Sequence, residues 1–210
     1  GRNSACWAVA FLATLTYGAV AVPILHEFTA EQIHNIVNHS GAKLLFVGDV
    51  VATVIDATKM PDLEGIIYIP DYSLVVSRTE KLTYAREHLN EMFGKKFPKY
   101  FRQEHVHYRR ETSGEEMALI NYTSGTTGFS KGVMIPYHAM WSNCDFAKSV
   151  LGSTVKAGDS VISILPMAHM YGMSFEFFFE FLHGCHIYYL TRVPSPAIIA
   201  QAFSEVKPAI

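Results

Sequence analysis

Three cysteines, Cys6, Cys144 and Cys185, are all that 210 residues contain, and they are widely spaced with no Cys-x-x-Cys pair. An odd, scattered set of thiols excludes a disulfide framework and fits a reduced cytosolic protein. Charge is scarce as well: charged residues make up 17% of the chain, the net charge is -2, and no basic cluster is larger than Arg109-Arg110. Nucleic acid is therefore not expected as a main partner, and the composition is not acidic enough for disorder. No internal repeat or low-complexity segment is present. Residues 3–25 carry no charge, follow Arg2 and include Ala19-Val20-Ala21, which has the look of a signal-peptidase site. Thr14, Thr16, Tyr17, Gly18 and Pro23 interrupt that run. A helix over about residues 4–17 and a buried strand over 19–22 account for it without a membrane.

What the chain does have is apolar content, 50% of residues, enough for one domain or a piece of one with a proper core. Thr29-Ala30-Glu31-Gln32 is a capping box opening a helix that ends near residues 38–41. Beyond it the pattern predicts a strand at 44–47, a helix at 50–59, a strand at 66–69 and a helix at 79–92 with Leu82, Ala85, Leu89 and Met92 on one side. Residues 94–116 are polar and rich in Lys, Arg and His, a surface excursion between a first α/β segment (1–93) and a second (117–210). In the second, helices are expected at 138–151, 174–182 and 195–206, with strands at 161–165 and 185–190. This alternation implies an α/β fold, a parallel sheet flanked by helices.

The densest chemistry lies in Tyr122-Thr123-Ser124-Gly125-Thr126-Thr127-Gly128-Phe129-Ser130-Lys131-Gly132, between the apolar stretches 117–120 and 133–135. Glycines let successive N–H groups converge on an anion, hydroxyls add donors, and a lysine supplies mobile positive charge. The alternative is a Gly/Ser/Thr-rich hairpin turn. A Walker A loop is excluded because Lys131 precedes Gly132 and a strand follows instead of a helix. The Gly-x-Gly-x-x-Gly dinucleotide fingerprint is excluded because position 123 is not glycine. A strand, loop, strand arrangement remains.

This loop resembles the phosphate-loop motif of the adenylate-forming enzymes, acyl-CoA synthetases, luciferases and peptide-synthetase adenylation domains. Their pattern is Tyr/Phe-Thr-Ser/Thr-Gly-Thr-Thr-Gly-x-Pro-Lys-Gly, and the chain departs from it only at Ser130, where proline is usual; the loop loses rigidity there. The resemblance extends to Gly18 through Pro23, similar to the family's Gly-Ala-Val-x-Val-Pro strand. It implies that the chain is part of the large N-terminal domain of an acyl-CoA synthetase-like fold. It implies, too, that Thr123, Ser124, Gly125, Thr126, Thr127, Gly128 and Lys131 bind ATP, with Thr123 a contact for Mg²⁺. The chain lacks an initiator methionine and ends where the family's next strand starts, so a piece of a longer protein is expected. The family's downstream Tyr-Gly-x-Thr-Glu segment, ribose-binding aspartate and C-terminal catalytic lysine are not in it, and these residues alone are expected to complete neither half-reaction.

A second candidate is Leu165-Pro166-Met167-Ala168-His169-Met170-Tyr171-Gly172, which follows a strand and opens a helix, where ligands sit in parallel α/β sheets. It resembles the family's second substrate motif, which implies that His169 contacts or shields the carboxylate being activated, beside Met170, Tyr171 and Gly172. A structural histidine capping the helix is the alternative. Glu176, Glu180 and His183 fall at helical spacing, but a di-iron site needs a second Glu-x-x-His helix. His183-Gly184-Cys185-His186 is too tight for a zinc finger. Phe175, Phe178, Phe179 and Leu182 form an apolar stripe suited to burial or, in the functional version, to lining a hydrocarbon tunnel.

The reaction the resemblance implies is attack of a substrate carboxylate on the α-phosphorus of ATP, then displacement of AMP by a thiol, that of CoA. Lys131 and His169 are the expected catalytic residues. The Pro-Met-Ala-His-Met-Tyr-Gly segment and the aromatic helix resemble long-chain fatty acyl-CoA synthetases. An aryl or medium-chain acid ligase, or a non-catalytic nucleotide-binding module, stays open, as does a peripheral contact of a cytoplasmic protein with a membrane.

Overall fold

The computed structural model describes residues 1–106, 113–123 and 131–209. Ser4 caps α1 (Ala5–Tyr17) by accepting the Trp7 N–H, and Gly18 ends it at φ 85°. Trp7, Ala8, Phe11 and Leu15 are buried in the main core, so the uncharged N-terminal run is an interior helix. Among the described residues no helix is long and apolar enough to cross a membrane. The expected strand at 19–22 contracts to one parallel bridge, Ala21 to Leu119. Pro23 has no N–H with which to extend the pairing.

The Thr29 capping box forms as expected and opens α2 (Ala30–Ser40). β1 (Leu44–Val47) pairs in parallel with β2 (Gly65–Tyr68). The helix expected at 50–59 breaks after α3 (Asp49–Ala52) into a 3₁₀ turn, Ala57–Lys59. His34 Nε2 takes the Asp56 N–H at 2.9 Å, and the Asp56 carboxylate accepts from the Thr58 N–H and hydroxyl. The amide that would continue the helix is thereby diverted.

A strand not anticipated, β3 (Leu74–Ser77), lies antiparallel to β2 across a turn in which Tyr72 takes φ 55°. Arg78, just beyond, donates to the carbonyls of Ala57, Met60, Pro61 and Leu63 and ties the 57–63 connection to the sheet. The single helix expected at 79–92 is two, α4 (Glu80–Glu87) and α5 (Leu89–Lys96), parted at His88. Leu82 packs over Gly65, whereas Leu89 and Met92 are exposed, so the apolar side predicted to be continuous is partly covered over Leu82 and Ala85 and exposed beyond them.

β4 (Met117–Thr123) and β5 (Lys131–Pro136) form an antiparallel hairpin, followed by α6 (Tyr137–Leu151). β6 (Ser160–Ser163) pairs in parallel with β7 (His186–Tyr189), and Ser195 caps α9 (Pro196–Val206). Between them α7 (Met170–Met173), a π segment (Ser174–Phe178) and α8 (Phe179–Leu182) run as one helical stretch. The wider π turn moves the apolar face. Phe177 and Phe179 are fully buried and Phe175 and Phe178 partly, while Leu182 is half exposed, against the expected 175, 178, 179, 182 stripe. Among the described residues the α/β architecture thus combines the expected parallel pairing with two antiparallel pairs.

Candidate active site

The strand that leads into residues 124–128 and the turn bearing His169 are joined by one buried hydrogen bond. On the hairpin, Thr123 and Lys131 are register partners at the end from which the loop leaves. Both are exposed. Ser124, Gly125, Thr126, Thr127 and Gly128 lie outside the described residues. The hairpin beneath them is well braced. Tyr122 Oη meets His39 Nδ1 at 2.6 Å, and a Cβ on Gly132 would fall 2.8 Å from Ile120 Cγ2 and 3.0 Å from Tyr122 Cζ. Partial burial holds the Tyr122 phenol above its ordinary range, so it stays protonated.

Two residues before Thr123, the buried Asn121 donates its Nδ2–H to the Ala168 carbonyl at 3.0 Å. Ala168 immediately precedes His169, so strand β4 carries the phosphate-type loop at its tip and the histidine turn on its flank. Buried Asn3, ahead of α1, grips the same turn from the other side. Its Nδ2 donates to the Leu165 carbonyl at 2.7 Å and to Ser163 Oγ at 3.2 Å, and its Oδ1 accepts the Met167 N–H at 2.8 Å. Glu176 Oε2 accepts the Ile164 and Leu165 N–H groups at 2.6 and 2.7 Å. Three polar side chains from three parts of the sequence therefore fix residues 163–168. None of the three carries a sequence signal for this role, since each pairing depends on a partner that only the fold supplies.

His169 caps α7, its Nδ1 accepting the Tyr171 N–H at 3.2 Å. In the neutral ring that tautomer puts the hydrogen on Nε2, leaving a donor on an exposed imidazole. His169 and Tyr171 line an open cleft of about 520 Å³ with Leu25, Glu27, Leu165 and Pro166. Met170 packs against the core instead, and Gly172 is buried, its Cα hydrogen facing the Pro166 carbonyl. The cap and the cleft position coexist. Capping engages one ring nitrogen and leaves the other for a ligand.

Among the described residues no group of three His, Cys, Asp or Glu side chains is arranged to hold a metal ion. Glu176 is committed to backbone amides, and His183 Nδ1 pairs with the Phe179 carbonyl. The Glu180 side chain is only 4% exposed and its Oε2 has no partner among the described residues. Burial, with Glu176 adding to it, pushes this carboxyl up to about 8, and burial with the nearby Glu180 pushes the Tyr189 phenol up to about 12. An acid whose folded pKa lies above its value of 4.5 binds its proton more tightly when folded. Its stabilising contribution is complete below that value and is lost as pH rises toward about 8. Glu180→Gln is expected to flatten the fall in melting temperature across this window and to raise it at the alkaline end. Melting curves against pH for parent and variant check this, and parallel curves would show that the carboxyl is ionised in the fold.

A family profile described as AMP-binding enzyme matches residues 1–210. The chain belongs to the AMP-binding enzyme family. Its curated relatives include human long-chain-fatty-acid–CoA ligase ACSBG2, 24% identical over all of this chain and 31% of that protein. A probable 4-coumarate–CoA ligase 1 of Dictyostelium discoideum is 26% identical over 78% of this chain and 30% of its own length. The chain thus spans about a third of these relatives. In fold it is similar to a red-emitting luciferase from Phrixothrix hirtus, with a TM-score of 0.76 over 99% of this chain and 38% of that one at 17% identity. It is similar also to the N-terminal domain of FACL13 from Mycobacterium tuberculosis, with a TM-score of 0.67 over 97% of this chain and 46% of that one at 24% identity. Both neighbours share the α/β architecture built here around the hairpin and the histidine turn. The chain's mixed α/β core ties strand β4 to the turn before His169 through Asn121.

Proposed function

We propose that the protein containing this chain activates a long-chain fatty acid with ATP and transfers the acyl group to CoA. The observation that carries the reading is the Asn121 to Ala168 bond, which joins the strand bearing Thr123 to the turn bearing His169. A carboxylate oxygen attacks the α-phosphorus, the new P–O bond forms, and the bond to pyrophosphate breaks. The carboxylate is already nucleophilic, so the protein needs no general base. Its task is to hold the reactants in line and offset charge on the phosphates. Ser124, Gly125, Thr126, Thr127 and Gly128 supply amides and hydroxyls to the triphosphate, and Lys131 supplies a positive charge.

The exposed Thr123 hydroxyl would serve as a protein ligand to Mg²⁺, which would supply positive charge to offset that of the phosphates. His169 donates Nε2–H to the substrate carboxylate or to the oxygen that becomes acyl, while Tyr171 forms the wall on that side with Met170 and Gly172 packed behind it. The CoA thiolate then forms the thioester bond as the acyl–phosphate bond breaks and AMP leaves. The setting proposed is cytoplasmic.

Relatives that include a 4-coumarate ligase favour an aryl acid as the second reading. Both are tested by trapping the activated acid with hydroxylamine, using ATP, Mg²⁺ and either palmitate or 4-coumarate. The longer protein is expected to yield palmitoyl hydroxamate in excess, whereas residues 1–210 alone are expected to yield none. Preferential coumaroyl hydroxamate would move the assignment to aryl acids. ATP binding without acid-dependent pyrophosphate release would leave a nucleotide-binding module.

A further inference from the structure

One run of exposed apolar side chains outside the cleft is α5 and the segment that follows it. Leu89, Met92 and Phe93 recur at the i, i+3, i+4 spacing of a helix that buries one side, yet they are 52, 47 and 49% exposed. None of the α5 residues is buried. Phe93, Phe97 and Phe101 cluster with ring centroids 4.9 to 5.6 Å apart, so the rings pack on one another above the surface. Tyr100 and Phe101 are about half exposed.

Cations are threaded through these rings. The Lys96 ammonium lies 5.5 Å from the Phe97 centroid and the Arg102 guanidinium 4.3 Å from that of Tyr100. Lys99 is exposed between them, while Lys95 is engaged by Glu91 at 2.5 Å. Residues 89–105 hold four such cations, Lys95, Lys96, Lys99 and Arg102, against two carboxylates, Glu91 and Glu104, in a chain whose net charge is -2. The patch is locally positive on a molecule that is negative elsewhere.

We propose that residues 89–105 form a docking surface for an anionic lipid bilayer. Aromatic and long apolar side chains gain by entering the boundary between headgroups and acyl chains, and lysine and arginine stems lie along that boundary with their charges at the headgroups. Each cation near an anionic surface adds attraction. A second copy of this chain is disfavoured as occupant, because a two-fold contact sets the same cations against each other. A bilayer is also where an apolar acid resides, although docking through these residues does not depend on the reaction.

The test is flotation of the longer protein with vesicles of phosphatidylcholine alone or with phosphatidylglycerol added, in the absence of any substrate. Failure of the ligase reading therefore leaves this result intact. Binding is expected to be about tenfold or more stronger on the anionic vesicles and to weaken with salt. Phe93→Ser with Phe101→Ser, and separately Lys96→Glu with Lys99→Glu and Arg102→Glu, are each expected to cut binding by about tenfold or more. Melting temperature and gel-filtration volume should not move. Equal binding to both vesicle types, no binding to either, or binding that survives both variants overturns the proposal. So does a fall in melting temperature, which would show the rings covered by the rest of the protein, or a change in elution volume, which would show an interface between copies.

Discussion

Lys131→Ala in the longer protein is expected to slow acid-dependent pyrophosphate release about 10² to 10³-fold, the usual cost of removing one pre-placed charge or donor from a developing anion. Lys131 is exposed at the start of β5, opposite Thr123 across the hairpin, so the substitution removes no packed side chain. Melting temperature should stay within about a degree, because surface substitutions away from special features are nearly neutral. An arginine at this position keeps the charge in a planar, longer-reaching group and should recover part of the rate. If the alanine variant retained activity within about twofold, Lys131 would be a solvated surface lysine and the loop would hold phosphate by amides and hydroxyls alone.

Gly172→Ala carries the largest expected effect on stability. A Cβ at this position would sit 2.5 Å from the Pro166 carbonyl oxygen, 3.1 Å from its carbon and 3.2 Å from Leu165 Cβ. The obstacle is backbone, and that backbone is held in place by Asn3, Asn121 and Glu176. Relief requires moving the start of α7 and with it His169. We expect a loss of about 3 kcal/mol, at the upper end for overpacking, with a fall in activity beyond what the unfolded fraction explains. Gly94→Ala is the matched control: Gly94 lies inside α5, where an added methyl would meet nothing within 4 Å, and alanine there should raise stability by up to about 1 kcal/mol. Thermal melts of the pair decide the matter. Equal stability of Gly172→Ala and parent would mean that the turn at Pro166 yields easily and does not hold His169 rigidly.

Legibility in the sequence followed the range of the forces involved. The capping box at Thr29, the first helix up to about residue 17 and the strand over 44–47 rest on neighbouring residues or on short apolar runs, and they form where expected. The helix expected at 50–59 failed for a long-range reason: His34, 22 positions away, claims the amide of Asp56. The helix at 79–92 divides at His88, where α4, packed on β3, gives way to the exposed α5, a change of surroundings that periodicity cannot report. β3 was legible in principle, since Leu74-Val75-Val76 is an apolar run with two β-branched valines after an Asp71 turn, but its length is marginal.

By itself the sequence determined the chemistry available to this protein. Glycines, hydroxyls and one lysine between two strands admit an anion-binding loop and exclude the two commoner nucleotide motifs, because those need different spacing and a following helix. Only the tertiary structure decided that the strand leading into this loop lies beside the turn bearing His169. That decision rests on Asn3 reaching 160 or more positions along the chain to Ser163, Leu165 and Met167, and on Asn121 reaching Ala168. Buried polar groups must find partners wherever the fold brings them, and such pairing has no period along a sequence.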